Sequence, residues 1–299
     1  MKLILNPASK SGKGKKYWAL WQEKLNKMQI DFRSNETESL QHAYNLAKDS
    51  NENVIAVGGD GTINQVINGL MTAENTKSMG VLYAGTSPDF CRFHNIPIQP
   101  EKALRCLLDN KKKMVDVIEI LYKDKDKSVS AYFACSCNIG LGADIARFAN
   151  KWRKVFGDCI GTGLGVIKTI LANKTFNSSL TIDNKEYVFA RTNHIFIVKN
   201  PFIASGLKLN LNIEPDDGRM FVVLIHDLNR LKLLSVLRHL YSGKIVKNDK
   251  IFIKECREVS VNTCPIKEIE FDGDPQGFTK MTAKIIPGKL SLICGQNNA

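Results

Sequence analysis

No apolar run in this chain approaches the ~20 residues that a bilayer-spanning helix requires, so no transmembrane segment is expected. The opening stretch, Met1-Lys2-Leu3-Ile4-Leu5-Asn6, is too short for a secretory leader and reads as a first strand, which makes a cytoplasmic location the expectation. Paired Cys-x-x-Cys blocks are missing too, and the eight cysteines are scattered. That pattern speaks against a zinc centre or disulfide framework and for buried, reduced thiols. Cys135 and Cys137 lie in an alternating strand and are expected to share one face. There is no internal repeat and no nucleic-acid motif, so no nucleic-acid partner is expected. Acidic residues are outnumbered, 30 against 42 Lys and Arg, for a formal net charge of +12. Such a balance favours anionic partners, a nucleotide, an anionic membrane or nucleic acid, without choosing among them.

What is present is ample for a core: 299 residues, 43% hydrophobic and 24% charged, the texture of a two-domain globular protein. The chain is organised around Val54-Ile55-Ala56-Val57-Gly58-Gly59-Asp60-Gly61-Thr62-Ile63-Asn64. A short β-branched run leads into three glycines, and Ile63, Val66, Ile67 and Leu70 then recur at helical spacing. Strand, glycine turn and helix start together make a phosphate cradle: close-approach backbone, unpaired N–H donors and the positive end of the helix dipole. Asp60 is out of place among anion-binding amides unless it holds a cation, a water or a lysine. The segment is neither a Walker A loop nor a Gly-x-Gly-x-x-Gly fingerprint; the alternative is an ordinary turn.

Before it, strand Lys2–Asn6 ends in a loop of small residues and lysines, Asn6-Pro7-Ala8-Ser9-Lys10-Ser11-Gly12-Lys13-Gly14, either a second phosphate surface or a plain connection. A helix with Trp18, Trp21, Leu25 and Met28 on one side follows, then a strand at Ile30–Arg33 and a helix from Leu40. Thr37 is either the N-cap of that helix or a hydroxyl aimed at the nucleotide. The β-α-β-α-β-α order implies a parallel sheet, and Asn6–Ser9, Thr37 and Gly58–Thr62 all follow strands, the edge where ligands sit. Beyond strand Met79–Ala84 comes Gly85-Thr86-Ser87-Pro88-Asp89-Phe90-Cys91-Arg92. Asp89 could be a helix N-cap, and Asp116, inside the apolar strand Met114–Ile120, needs a partner or an edge. After Leu121 the texture changes to alternating strands, among them Val129–Cys137, Tyr187–Ala190, His194–Val198 and Met281–Ile286, with tight turns at Asp183-Asn184 and Asp272-Gly273. Helical insertions are expected near 144–171 and 228–241.

The Gly-Gly-Asp-Gly-Thr segment resembles the nucleotide-binding loop of the diacylglycerol-kinase catalytic-domain superfamily, which includes bacterial lipid kinases, sphingosine kinases and ceramide kinases and shares this signature with NAD kinases. The Gly85–Arg92 segment resembles the lipid-kinase motif Gly-Thr-x-Asn-Asp-Phe-x-Arg, departing from it at Pro88, and favours that branch. The resemblance runs from Asn6 to about Leu292. It implies an α/β nucleotide-binding domain over residues 1–117 with a returning segment at 288–299, and an antiparallel β-sandwich with helical insertions over 118–287. It implies ATP held by Asn6, Pro7, Ala8, Ser9, Lys10, Thr37, Gly58, Gly59, Asp60, Gly61, Thr62, Ile63, Asn64 and Thr86. Asp60, Asp89 and Asp116 would organise Mg2+ and water.

It further implies a structural magnesium at Glu214-Pro215-Asp216-Asp217-Gly218-Arg219, bound by the Asp217 carboxylate and the carbonyls of Glu214 and Arg219; as residues alone, this reads as a hairpin turn. Asp274 would take the lipid hydroxyl proton, with Asp272 the alternative base. The implied activity is transfer of the ATP γ-phosphoryl group to a lipid hydroxyl, such as that of diacylglycerol, in a cleft between the domains. Basic and aromatic residues at 151–154 and at Arg230, Lys232, Arg238, His239 and Lys244 read as amphipathic helices, or as a surface for anionic lipid and peripheral membrane association. A homodimer is compatible with the sequence. The rivals are an NAD kinase and a catalytically inactive nucleotide- or lipid-binding regulator.

Overall fold

The computed structural model of the chain describes residues 1–12, 14–74, 77–141, 148, 158–203, 207–241, 249–272 and 274–295. It forms two compact units, Met1–Val117 with Pro287–Ala299, and Ile118–Ile286.

In the first unit, β1 (Lys2–Leu5) leads through the one-turn α1 (Ser9–Gly12) into α2 (Gly14–Lys27). Next come β2 (Arg33–Glu36), α3 (Leu40–Lys48), β3 (Val54–Gly58), α4 (Asp60–Thr72), β4 (Ser78–Tyr83), α5 (Asp89–Phe93) and α6 (Pro100–Asp109). The sheet order is β4-β3-β1-β2, all parallel. A fifth parallel rung comes from the chain's last strand, with Ser291 opposite Ser78. Trp18, Trp21 and Leu25 of α2 and Ala103, Leu104 and Leu107 of α6 pack with Leu3, Leu5, Ile55, Val57 and Leu82 of the strands. Alternate strand residues thus point to one face, as the pleat dictates. Trp21 is fully buried, and its truncation to Ala would cost about 3–5 kcal/mol. Met28, expected on the same stripe, is exposed because α2 ends at Lys27. Helices α3 and α4 meet at Gly69, where an added Cβ would collide with the Tyr44 carbonyl and the Ala47 side chain.

The second strand lies three residues later than its apolar residues suggest. Phe32 packs edge-on against Trp18, and Ile30 joins the same cluster, so both serve the core ahead of the strand. The strand itself is polar and exposed, the edge of the sheet. Thr37 is not the cap of α3; that role belongs to Ser39, whose hydroxyl accepts from the His42 N–H at 3.1 Å.

The second unit begins within β5 (Lys112–Asp124). It continues with β6 (Lys127–Phe133), β7 (Ser136–Ile139), α7 (Asp158–Ala172), β8 (Phe176–Ile182) and β9 (Lys185–Val198). The short pair β10 (Phe202–Ile203) and β11 (Leu207–Lys208) precedes β12 (Met220–His226) and α8 (Arg230–Tyr241). The chain closes with β13 (Ile251–Cys256), β14 (Glu258–Cys264), β15 (Glu268–Phe271) and β16 (Asp274–Ile293). Ladders run β9-β7-β15-β16 and return β16-β14-β8-β9, nearly all antiparallel hairpin or cross-sheet pairings. The two long strands therefore serve both layers, β9 with its end on β7 and its start on β8, as strands at the corners of a sandwich do. Between the layers lie Ile118, Phe133, Cys137, Ile197, Val222, Val261, Phe271 and Met281.

Long strands explain where the sequence reading divided too finely. Residues 187–190 and 194–198 belong to one strand, interrupted by a bulge at Arg191, which has φ +55°. The reverse holds at Val129–Cys137, which splits into β6 and β7 because the Asp272 carboxylate draws the backbone N–H groups of Ala134, Cys135 and Ser136 out of the ladder. Cys137 is buried and Cys135 only partly so, and the two do not share an alternating face. The hairpin turn at Asp183-Asn184 has φ values of 44° and 67°, the left-handed pair that a two-residue turn of this hand needs. Residues 149–157 of the first helical insertion, including Lys151, Trp152, Arg153 and Lys154, and Lys244 of the second lie outside the described residues. Among the described residues no helix is long and apolar enough to cross a membrane.

Candidate active site

In a parallel sheet ordered β4-β3-β1-β2, the connections leave β1 and β3 in opposite directions, which opens a crevice at their carboxyl ends. The loops after both strands meet there. Asn6 Nδ2 donates to Thr62 Oγ1 at 3.0 Å, and Asn6 Oδ1 accepts from the Ala8 N–H at 3.0 Å. The Thr62 side chain lies so close over Gly58 that a Cβ there would sit 2.5 Å from its hydroxyl. β4 adds a third loop: the Ala84 N–H donates to the Gly58 carbonyl at 2.8 Å, and a Cβ on Gly59 would come 3.1 Å from the Gly85 Cα. Asn6–Ser9, Gly58–Thr62 and Gly85 are thus one surface. Thr37 is buried at the neighbouring strand end, its N–H on the Leu5 carbonyl.

Helix α4 starts at this surface. Its N-cap is Gly59, which offers no side-chain cap, so the first-turn N–H groups face the loops without an internal acceptor. Ser9 Oγ, buried on the loop after β1, has no hydrogen-bond partner among the described residues. A helix start without a side-chain cap, a buried hydroxyl without a partner among the described residues and closely packed glycines fit the phosphates of a nucleotide. Lys10 Nζ bonds Tyr17 Oη at 2.6 Å, and Thr86 is exposed. Ile63 and Asn64 are buried, and Asn64 Oδ1 accepts from Asn68 Nδ2 at 3.2 Å. Their side chains belong to the packing of α4.

Asp60 opens α4 and accepts from Tyr83 Oη at 3.2 Å. Burial, and then the Asp60 charge, push the Tyr83 phenol and the Cys91 thiol well above their ordinary ranges, so both remain neutral beside the carboxylate. Asp89 is the first helical residue of α5, not its cap, which is Pro88. Its Oδ2 accepts from Ser87 Oγ at 2.6 Å, and Arg92 stands 3.7 Å from its other oxygen. Asp116 is buried and accepts from the Gly288 N–H at 2.8 Å, at a turn where Gly288 has φ +55°. Each of the three aspartates has its own neighbour. Among the described residues no three His, Cys, Asp or Glu side chains form a metal-holding group.

In the second unit the Asp-Gly-Asp segment separates two roles. Asp272, φ +49°, accepts from the backbone N–H groups of Ala134, Cys135 and Ser136 at 3.1, 3.1 and 3.2 Å. It anchors the break between β6 and β7. Asp274 begins β16, opposite Phe271. Beside them, Asn138 Nδ2 donates to the buried Glu270 at 2.6 Å.

The Glu214–Arg219 turn brings together the three oxygen donors expected there, but around a different cation. Lys199 Nζ donates to Asp217 Oδ1 at 2.6 Å, to the Glu214 carbonyl at 2.8 Å and to the Arg219 carbonyl at 3.0 Å. The expected magnesium does not fit, because an ammonium occupies its position. Burial alone would raise the Asp217 carboxyl, but the Glu214 N–H, Lys199 and the Arg219 N–H outweigh it and hold it below its usual range. Sequence reasoning missed Lys199 and Tyr83. The one available signal for Lys199 was a lone lysine ending the apolar run Ile195-Phe196-Ile197-Val198.

The diacylglycerol kinase catalytic domain model matches residues 1–120, and the YegS C-terminal NAD kinase beta sandwich-like domain model matches residues 135–294. The chain belongs to the family of the YegS C-terminal domain, whose model covers more than half of it, and carries the diacylglycerol kinase catalytic domain ahead of that. Similar proteins are named lipid kinases. A Staphylococcus aureus strain MRSA252 protein called "Putative lipid kinase SAR0780" is 25% identical over 278 residues, 89% of this chain and 86% of that protein. A "Putative lipid kinase" of strain Newman is 26% identical over 83% of this chain and 79% of its own length. Among solved structures, a Bacillus anthracis protein titled "putative diacylglycerol kinase" superposes with a TM-score of 0.77 at 19% identity, covering 100% of this chain and 98% of its own. Yeast NADH kinase, solved with NADH, has a TM-score of 0.54 at 12% identity, over 99% of this chain and 84% of its own. These two likenesses are of fold.

Proposed function

We propose that this protein is an ATP-dependent lipid kinase. The observation that carries the reading is the start of α4, without a side-chain cap and closed in by Gly85, together with the orphaned Ser9 hydroxyl on the loop after β1, in a chain whose similar proteins are named lipid kinases. The phosphates of ATP lie on the N–H groups of Asp60, Gly61 and Thr62, with Asn6 holding Thr62 in place. Asp60 receives the cationic side of the nucleotide complex, its carboxylate oriented by Tyr83. Magnesium, carried on the phosphates with much of its water shell, would neutralise their charge. In the transfer, the lipid hydroxyl oxygen bonds to the γ-phosphorus as the bond to the β–γ bridging oxygen breaks. The hydroxyl proton passes to Asp274. Asp272 keeps its three backbone donors and its structural place.

A lipid acceptor brings the protein to a membrane surface. The net charge of +12 suits anionic headgroups. On α8, Leu233 and Val236 are buried while Arg230, Leu231 and Lys232 are exposed, a basic face with one apolar side chain at 77% exposure. The test is to supply purified protein with γ-labelled ATP and magnesium, and with diacylglycerol, monoacylglycerol, phosphatidylglycerol, sphingosine, ceramide and NAD as separate acceptors. A labelled lipid supports the proposal and names the acceptor. Labelled NAD in its place would move the chain to the soluble-acceptor branch.

A further inference from the structure

The Lys199 ammonium is 1% exposed and meets three oxygens from one six-residue turn at 2.6 to 3.0 Å. A lysine buried this deeply is stable only when its charge and its donors are matched. Here one carboxylate supplies the charge and two carbonyls take the remaining protons, so the three donors of an ammonium have three acceptors. The same oxygens are further tied down. Asp217 also accepts from the Glu214 N–H at 2.8 Å and the Arg219 N–H at 3.0 Å. Arg219 pairs with both Asp217 and Glu255. The backbone at Lys199 is anchored in turn, its N–H donating to the Cys135 carbonyl at 2.9 Å.

We infer that Lys199 is a tethered cation that holds the Glu214–Arg219 turn in place of a divalent metal ion, and that shortening it converts the turn into a divalent-cation site. The chemistry follows from the donor set. One carboxylate and two carbonyls are hard oxygen ligands of the kind that calcium and magnesium take, with water completing the shell. The volume vacated by the lysine side chain has room for those waters. Calcium, with bonds of about 2.3–2.6 Å, needs less contraction of this cage than magnesium at about 2.0–2.1 Å. The covalent tether makes the cation permanent: the turn keeps its shape in any chelator and at any concentration of free divalent ion. The inference concerns the second unit alone and does not depend on the kinase reading.

The experiment uses nucleotide-free protein. Thermal unfolding is followed in EDTA and in millimolar Ca2+ or Mg2+, and Ca2+ and Mg2+ binding are titrated by calorimetry, for the native chain, Asp217→Asn, Lys199→Ala, Lys199→Ser and Lys199→Ala with Asp217→Asn. The native chain is expected to unfold at the same temperature in chelator and in Ca2+, with no Asp217-dependent binding heat. Lys199→Ala leaves a buried carboxylate unmatched and should melt roughly 10 °C lower in EDTA. It should regain much of that in Ca2+, and the regain should vanish in the double variant. Lys199→Ser vacates the same volume and provides the same comparison should the alanine variant fail to fold. Two results would overturn the inference: a native chain that binds Ca2+ or Mg2+ with loss of that binding in Asp217→Asn, or a folded Lys199 variant whose melting is indifferent to divalent ions.

Discussion

Gly59 and Gly85 touch backbone to backbone: a Cβ on Gly85 would stand 2.7 Å from the Gly59 Cα and 2.5 Å from the Tyr83 hydroxyl. The contact joins the loop after β3 to the loop after β4, and it seats the phenol that orients Asp60. Gly85→Ala must therefore move either the α4 start or Tyr83. We expect it to weaken ATP binding at least tenfold, measured by equilibrium titration, with the melting temperature little changed. Gly59→Ala meets its nearest atom at 3.1 Å and should weaken binding less. Equal, negligible effects would separate this contact from the nucleotide.

Tyr83→Phe removes the 3.2 Å hydrogen bond to Asp60 and the phenol's contact with the Ser87 backbone, and keeps the rest of the side chain's shape. The phenol is neutral and buried, so its contribution is orientation of the carboxylate, on the order of 1 kcal/mol. The KM for magnesium-ATP should rise several-fold in the phenylalanine variant. An unchanged KM together with an unchanged kcat would show that Asp60 is oriented by something else.

Asp272→Asn keeps the volume but replaces one acceptor oxygen with an amide that faces a backbone N–H. Three N–H groups depend on this carboxylate, so the variant should lose about 1–3 kcal/mol of stability. Urea unfolding measures this directly. A variant as stable as the native chain would contradict the anchoring role.

His194 gives a pH dependence. It is buried against Phe196 and accepts from the Leu141 N–H at 3.1 Å, and burial lowers its pKa from 6.5 to about 3. Between those values the unfolded chain takes up a proton that the folded chain refuses. Its contribution is fully present above about 6.5 and is lost as the pH falls toward 3, at roughly 1.4 kcal/mol per unit. Urea midpoints at pH 7.5 and 5 should differ, and His194→Gln should shrink the difference. An unaltered slope in the variant would assign the pH dependence to other groups.

The sequence made the nucleotide side of the fold legible because its signals are local. A β-branched run, glycines and a helical stripe from Ile63 to Leu70 can mean little other than β3 and α4. The β2 edge was misplaced because its apolar neighbours, Ile30 and Phe32, are spent on the core before the strand starts. In the second unit, β9 and β16 were cut short because each changes partners midway along its length, so no single alternation runs through either. The Glu214–Arg219 turn reads as a hairpin turn from its residues, and as a magnesium site only through the family resemblance. Its cation comes from Lys199, fifteen residues ahead of Glu214, and no local pattern in the turn records that. Distances of that kind are set by tertiary pairing, as are those of Tyr83 to Asp60 and Asp272 to Cys135.

The most direct test of the lipid-kinase reading is single-turnover transfer of label from γ-labelled ATP to diacylglycerol in mixed micelles, compared between the native chain and Asp274→Asn, with ATP binding measured on the same samples. A base that takes the acceptor proton contributes about 10²–10⁴-fold. Label should appear in the lipid with the native chain, and the variant should bind ATP normally while transferring it slower by that factor. Bound ATP with no label reaching this or any other lipid hydroxyl would contradict the assignment.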